Sequence, residues 1–195
     1  MRKLKLLSIC LGAIFLMTSG VSAQSAQLIS VQGSALYESV QGDAFQWRLD
    51  ESLPAGYGGE VQLRFTPGTL SWGGGLQGTT HSWTDQGDKW NLRMIGIFLE
   101  PRYTLPGTAS LYPYLSARLA LTTLKLKIAG EEIGDASGQT VNGGGGVLVR
   151  LTPRMNLDVG ATFGYTKFGD FDATIQTGSG TNLIARVGLA IGLGK

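Results

Sequence analysis

The chain has 195 residues, of which 30 are glycine, 43% hydrophobic and 15% charged, with one cysteine, one histidine and a formal charge of +2. Without the basic residues of the first 23 positions, 13 Lys+Arg face 14 Asp+Glu, so no basic surface is left to hold nucleic acid. A lone cysteine excludes a disulfide framework, and the length suits one domain.

Residues 1–23 read as a secretory signal peptide. Arg2, Lys3 and Lys5 form the positive start, Leu6 to Met17 the apolar run, and Val21-Ser22-Ala23 the small–x–small cleavage signal. The run is shorter than the roughly 20 residues of a spanning helix. Cleavage is expected after Ala23, leaving Gln24, with Ala26 as the alternative. Cys10 lies inside this segment behind Ile9, which does not fit a lipoprotein cysteine. Residues 24–195 then form one domain.

That domain alternates between apolar and polar or small residues with period 2, eight times over, which predicts strands with one apolar face. The expected strands are 29–38, 57–66, 70–83, 90–103, 111–127, 140–151, 156–168 and 182–193. In the last, Leu183, Ala185, Val187, Leu189, Ile191 and Leu193 share one face. In the seventh, Leu157, Val159, Ala161, Phe163 and Tyr165 do so. Two strands change phase: Leu92 and Met94 give way to Ile95, Ile97 and Leu99, and Leu119 and Leu121 to Leu124 and Leu126. A β-bulge in each is the expected remedy.

The connections alternate in character. Thr66-Pro67-Gly68, the segment at Pro106-Gly107 and Thr152-Pro153-Arg154 are proline-marked turns, whereas 39–56, 84–89, 128–139 and 169–181 are longer or more polar. One end trimmed and the other elaborated is the pattern of a barrel inserted from one side of a membrane. Several strands also reach the 9–11 residues that a tilted membrane strand needs, against about 5–6 for soluble strands. With the chain starting on the periplasmic side, Tyr37, Tyr57, Trp83, Trp90, Tyr165 and Phe168 are expected at the outer rim. Phe65, Trp72, Tyr103, Tyr112 and Tyr114 are expected at the inner rim.

The fold class expected is therefore all-β: an eight-stranded antiparallel up-and-down transmembrane β-barrel with short periplasmic turns and longer outer loops. If the apolar faces meet lipid, Glu60, Gln62, Arg64, Glu100, Arg102, Arg118, Asn142, Arg150, Asp158 and Arg186 meet one another inside. Eight strands enclose only enough room for side chains, and buried charges need partners. Glu60, Arg64, Glu100, Arg102, Arg118, Arg150, Asp158 and Arg186 are thus expected to form a structural lumen network. Gly144, Gly146, Gly160, Gly164, Gly188 and Gly192 fall on the same inner face, where glycine relieves crowding at tight curvature.

With this signal segment, strand pattern and connection asymmetry, and with Tyr112-Pro113-Tyr114-Leu115 opening the fifth strand, the chain resembles the small outer-membrane β-barrels, the type of the membrane domain of outer-membrane protein A and its short relatives. The resemblance covers 28–193. It implies a place in the bacterial outer membrane, with outer-membrane lipids, the barrel-assembly machinery and periplasmic chaperones as partners, and a monomer. It does not extend to the aromatic final residue usual in that family, since this chain ends Ile191-Gly192-Leu193-Gly194-Lys195. No peptidoglycan-binding domain is expected after the barrel.

A structural or surface-interaction role is expected, with no catalysis and no cofactor or metal. His81 and Ser82 are adjacent on a strand and point to opposite faces, so they make no catalytic dyad, and position 83 is tryptophan; His81 is expected at the rim. Gly143 to Gly146 lack the lysine of a phosphate loop. Asp170 and Asp172 do not by spacing alone make a calcium site. Lys125 and Lys127 lie at the outer strand ends, solvated or near lipid phosphates. Two alternatives stay open: a narrow channel, and a secreted soluble barrel that binds a small ligand with the apolar faces turned inward, because alternation does not tell inside from outside.

Overall fold

The computed structural model describes residues 28–42, 53–85, 87–169 and 178–193. The expected signal segment 1–23, Cys10, the cleavage positions, Asp170 and Asp172 lie outside the described residues. The strands are β1 (Ile29–Gly42), β2 (Gly56–Phe65), β3 (Leu70–Asp85), β4 (Asp88–Thr104), β5 (Leu111–Ile128), β6 (Glu131–Thr152), β7 (Met155–Phe168) and β8 (Ser179–Leu193). Each pairs antiparallel with the next, and β8 returns to β1 over the whole length of β1. The sheet is a closed barrel, so along the shared length of the strands each is paired on both sides.

The paired register fixes the barrel's dimensions. One row runs Gln32, Gln62, Gly75, Phe98, Ala120, Thr140, Thr166 and Gly180, and comes back to β1 at Gly42. A circuit thus advances ten residues along β1, from Gln32 to Gly42. Strand number and stagger together set tilt and width, and eight strands leave an interior that side chains fill.

We call the end with the β1–β2, β3–β4, β5–β6 and β7–β8 connections the upper end. Its asymmetry differs from expectation. The expected loops at 84–89 and 128–139 are mostly strand: β3 and β4 reach Asp85 and Asp88, and β5 and β6 are joined by Ala129-Gly130 alone. Both turn residues have positive φ, 51° and 95°, the conformation of a tight hairpin whose twist matches the strands. Alanine there hides the turn, because Asn-Gly or Gly-Gly is its usual mark. Strands β3 to β6, of 16, 17, 18 and 22 residues, therefore stand as a tall wall at the upper end.

The faces are assigned without ambiguity. Val61, Leu63, Leu76, Ile97, Leu115, Leu121, Phe163 and Val187 are exposed on the outside, while Glu100, Arg102, Arg118 and Asp158 are buried inside. This excludes the inverted arrangement of a soluble barrel with an apolar lumen along the whole chain. Such an exterior suits hydrocarbon.

The expected bulges in β4 and β5 are absent. The ladder runs without a slip from Leu92–Leu126 to Leu99–Leu119. Irregularities fall instead near strand ends, between Leu126 and Lys127 and between Arg150 and Thr152. The phase change is real and has another cause: the barrel swaps its faces. Below Met94, β4 shows Ile95, Ile97 and Leu99 outside and Phe98, Glu100 and Arg102 inside. Above, Lys89, Asn91 and Arg93 are outside, and Trp90, Leu92 and Met94 are inside. On β5 the outward row ends at Leu121, and Leu124 and Leu126 are buried. An apolar core of Val40, Leu53, Trp90, Leu92, Met94, Leu124, Leu126, Ala136 and Phe168 fills the upper lumen.

The expected aromatic rims are corrected on the same ground. Tyr37, Tyr57 and Tyr165 face outward at the upper boundary, and Phe65, Trp72 and Tyr103 at the lower one. Trp90 and Phe168 belong to the upper core, with Trp83 packed against it and stacked on Trp90 at 5.8 Å. Tyr112 and Tyr114 point into the lower lumen, where their rings take guanidinium groups. Clustering at strand ends marked these residues, but their positions within the alternation put them inside.

Candidate functional site

The lower and middle lumen holds the charged side chains. They converge because they occupy inward positions on facing strands: Glu60 and Arg64 on β2, Glu100 and Arg102 on β4, Arg118 on β5, Asp158 on β7 and Arg186 on β8. Glu100 is the hub. Its carboxylate accepts from Arg64 Nη2 at 3.0 Å, Arg102 Nη2 at 2.9 Å, Arg118 Nη2 at 2.6 Å and both terminal nitrogens of Arg186. Asp158 is a second centre, accepting from Arg102 Nη2 at 2.9 Å, Gln32 Nε2 at 2.6 Å and the Tyr114 hydroxyl at 2.6 Å. Glu60 accepts from Arg118 Nη1 at 2.7 Å.

Seven of the eight expected lumen residues thus form one connected network. Arg150 stands apart: its guanidinium lies over the Tyr112 ring, 4.9 Å from the centroid, near the lower mouth. The connected set has four arginines against three carboxylates. Aromatic faces help to balance that excess: Arg102 lies 3.9 Å from the Tyr114 centroid and Arg118 4.1 Å from that of Phe98. Neutral side chains supply further acceptors. Arg64 donates to Gln62 Oε1 and Ser71 Oγ, each at 3.0 Å, and Arg118 donates to Gln77 Oε1 at 3.1 Å.

Gln32, Ser71, Gln77 and Tyr114 escaped the sequence reading of this network, although each has the inward parity of its strand. The inward glycines make the room. A Cβ on Gly146 or Gly160 would strike the Tyr114 hydroxyl, and one on Gly73 would strike Arg64 and Gln62. All six glycines expected on the inner face lie on inward positions; at Gly144 and Gly164 a Cβ would run into the backbone of the neighbouring strand.

His81 is not a rim residue. Its ring is fully buried on β3 between the charged network and the apolar core. Nδ1 is 2.7 Å from the Pro54 carbonyl, and Nε2 is 3.7 Å from Glu38 Oε2. Thr79 Oγ1 donates to the same carboxylate at 2.5 Å. Ser82 faces the opposite side, where Asn91 donates to it at 2.9 Å.

The lumen thus holds two kinds of filling, salt-bridged side chains below and apolar packing above. No protein-family model matches the sequence, and no curated protein matches it. Solved structures do share the fold. Neisserial surface protein A (NspA) superposes with a TM-score of 0.64 at 17% identity, over 85% of this chain and 97% of that one. The attachment invasion locus protein Ail of Yersinia pestis, in complex with the heparin analogue sucrose octasulfate, gives 0.52 at 11%, over 84% and 97%. Outer membrane protein OprG of Pseudomonas aeruginosa gives 0.52 at 10%, over 90% and 100%. The chain has the fold of the small eight-stranded outer-membrane β-barrels, the class that its sequence resembles.

Proposed function

We propose that this protein is a monomeric, non-conducting outer-membrane barrel with a structural or surface-interaction role and no catalytic activity. The observation that carries the reading is the change of faces along β4 and β5. Where lipid would surround the barrel, the exterior is apolar and the lumen charged; where water would surround it, the exterior is polar and the lumen apolar. The upper end then faces the cell exterior, and outer-membrane lipids surround the belt between the two sets of outward aromatics. Periplasmic chaperones and the barrel-assembly machinery would deliver a chain whose apolar belt is incompatible with water.

Two successive stoppers support a closed pore. Ions crossing the lumen would have to part the Glu100 and Asp158 ion pairs and then cross a section lined by Leu92, Met94, Leu124 and Phe168. The lumen network serves in this reading to hold the barrel shut and in one register. Folding the protein into lipid vesicles and comparing gel mobility with and without boiling tests insertion: a heat-dependent shift is expected. Planar bilayers carrying the shifted form test closure. Stable single-channel steps that change with Arg118→Gln would replace this reading with the narrow channel.

A further inference from the structure

The boundary between the lipid belt and the polar upper wall is not the same all round. On β1, β2 and β7 it is marked by Tyr37, Tyr57 and Tyr165. On β4 and β5 it is marked by cations. Arg93 follows the last apolar outward residue of β4, Ile95, and Lys125 follows Leu121 and Thr123 on β5. Arg93 and Lys125 are register partners on one exposed face. Like charges placed directly opposite destabilise a sheet. Among the described residues Arg93 has no carboxylate in salt-bridge contact, and Lys125 meets Glu132 at 3.2 Å, in the open, and has Asp135 opposite it in register on β6.

Directly below this pair, on the same two strands, the outer surface carries an apolar groove lined by Ile97, Leu99, Leu119 and Leu121, with Phe98 and Ala120 at its floor. The step from Arg93 to Ile97 is four residues, about 13 Å at roughly 3.3 Å per residue. A cationic pair above and an apolar groove below, aligned along one strand pair, match an amphiphile with an anionic head.

We propose that β4 and β5 bind one phosphate-bearing membrane lipid, its phosphate between Arg93 and Lys125 and an acyl chain in the Ile97–Leu121 groove. Arg93 presents the planar fork that pairs two phosphate oxygens, and Lys125 adds a compact charge. The phosphate relieves the repulsion between the two cations, and Thr123 offers a hydroxyl on the same face. Other outward cations do not share this arrangement: Lys89 lies higher on β4, Lys127 lies higher on β5 between Asn91 and Glu132, and Lys167 stands above Tyr165 on β7 with no register partner of like charge.

This inference rests on the membrane reading above, and the test separates the two. Wild type, Arg93→Gln/Lys125→Gln and Lys89→Gln are folded into phosphatidylcholine vesicles containing a minor share of phosphatidylglycerol. Insertion is scored for each by the heat-dependent gel shift. The shifted protein is extracted into mild detergent, and bound lipid is counted by native mass spectrometry. Wild type and Lys89→Gln are expected to retain one phosphatidylglycerol per barrel in preference to phosphatidylcholine, with at least a tenfold loss in the double variant. Equal retention by all three, or no preference for the anionic lipid, with every protein heat-shifted, would overturn the lipid site and leave the barrel in its membrane. A wild type that does not shift would sink both.

Discussion

The lower and upper halves of this barrel are built on opposite rules. In the lower half the lumen is a lattice of hydrogen-bonded charge and the outside is Leu, Val, Ile and aromatic. In the upper half the lumen is a compact apolar core and the outside carries Lys, Arg, Asp, Glu and Asn. The β4–β5 ladder passes from one half to the other without a slip. The side that a residue class occupies is therefore set by what surrounds the barrel at that height, not by the fold. Apolar groups face lipid where lipid is present and face each other where it is not.

The largest effect is expected from breaking the lower half at its hub. Glu100→Ala leaves four arginines without their common acceptor and should cost about 3–5 kcal/mol, read as a lower denaturant midpoint in vesicles. A loss below 1 kcal/mol would mean that water substitutes for the carboxylate and that the lattice is not what holds the barrel. Next is a pair that sets the two halves against each other. Leu124→Ala opens a void in the upper core and should cost about 3 kcal/mol, whereas Leu121→Ala faces lipid that can close over it and should cost about 1 kcal/mol. Equal losses would place both residues in one environment and abolish the distinction.

The boundary itself can be sharpened by an arginine scan of outward positions on β5. Leu115→Arg should cost about 2–3 kcal/mol and Thr123→Arg only a few tenths, following the depth of each in the bilayer. A flat profile would remove the lipid belt. The smallest expected effect lies in the upper hairpin. Ala129 holds φ at 51°, which glycine adopts without strain, so Ala129→Gly should stabilise by about 1 kcal/mol in the same assay.

Much of this was legible in the sequence because period 2 is a strong signal when repeated eight times. It gave the strands, their antiparallel order and the inward parity of Glu100, Arg118, Asp158 and Arg186. The change of faces was visible too, in Leu92-Met94 against Ile95-Ile97, but a bulge explains the same letters when only one face is allowed to be apolar. Tyr114 was misplaced for a related reason: tyrosine near a strand end suits a membrane boundary as well as it suits a bed for Arg102. His81 was misplaced because depth within the barrel depends on the stagger of the strands, which single strands do not reveal. The β5–β6 turn was missed because Ala-Gly is weak turn chemistry whose conformation is imposed by the long strands on either side.

The seam between β1 and β8 has a consequence for how the chain comes together. Ile29 lies opposite Leu193, so the first and last described strands meet along the full length of β1. These are the most distant contacts in sequence, and distant pairings are slow to form because the intervening chain must first be ordered. Until they form, both end strands have open edges, and the charges gathered by Glu100 lack the enclosure that makes their pairing effective. Closure is therefore expected to come last, and a chain interrupted before β8 is expected to form an open, adhesive sheet instead of a smaller barrel.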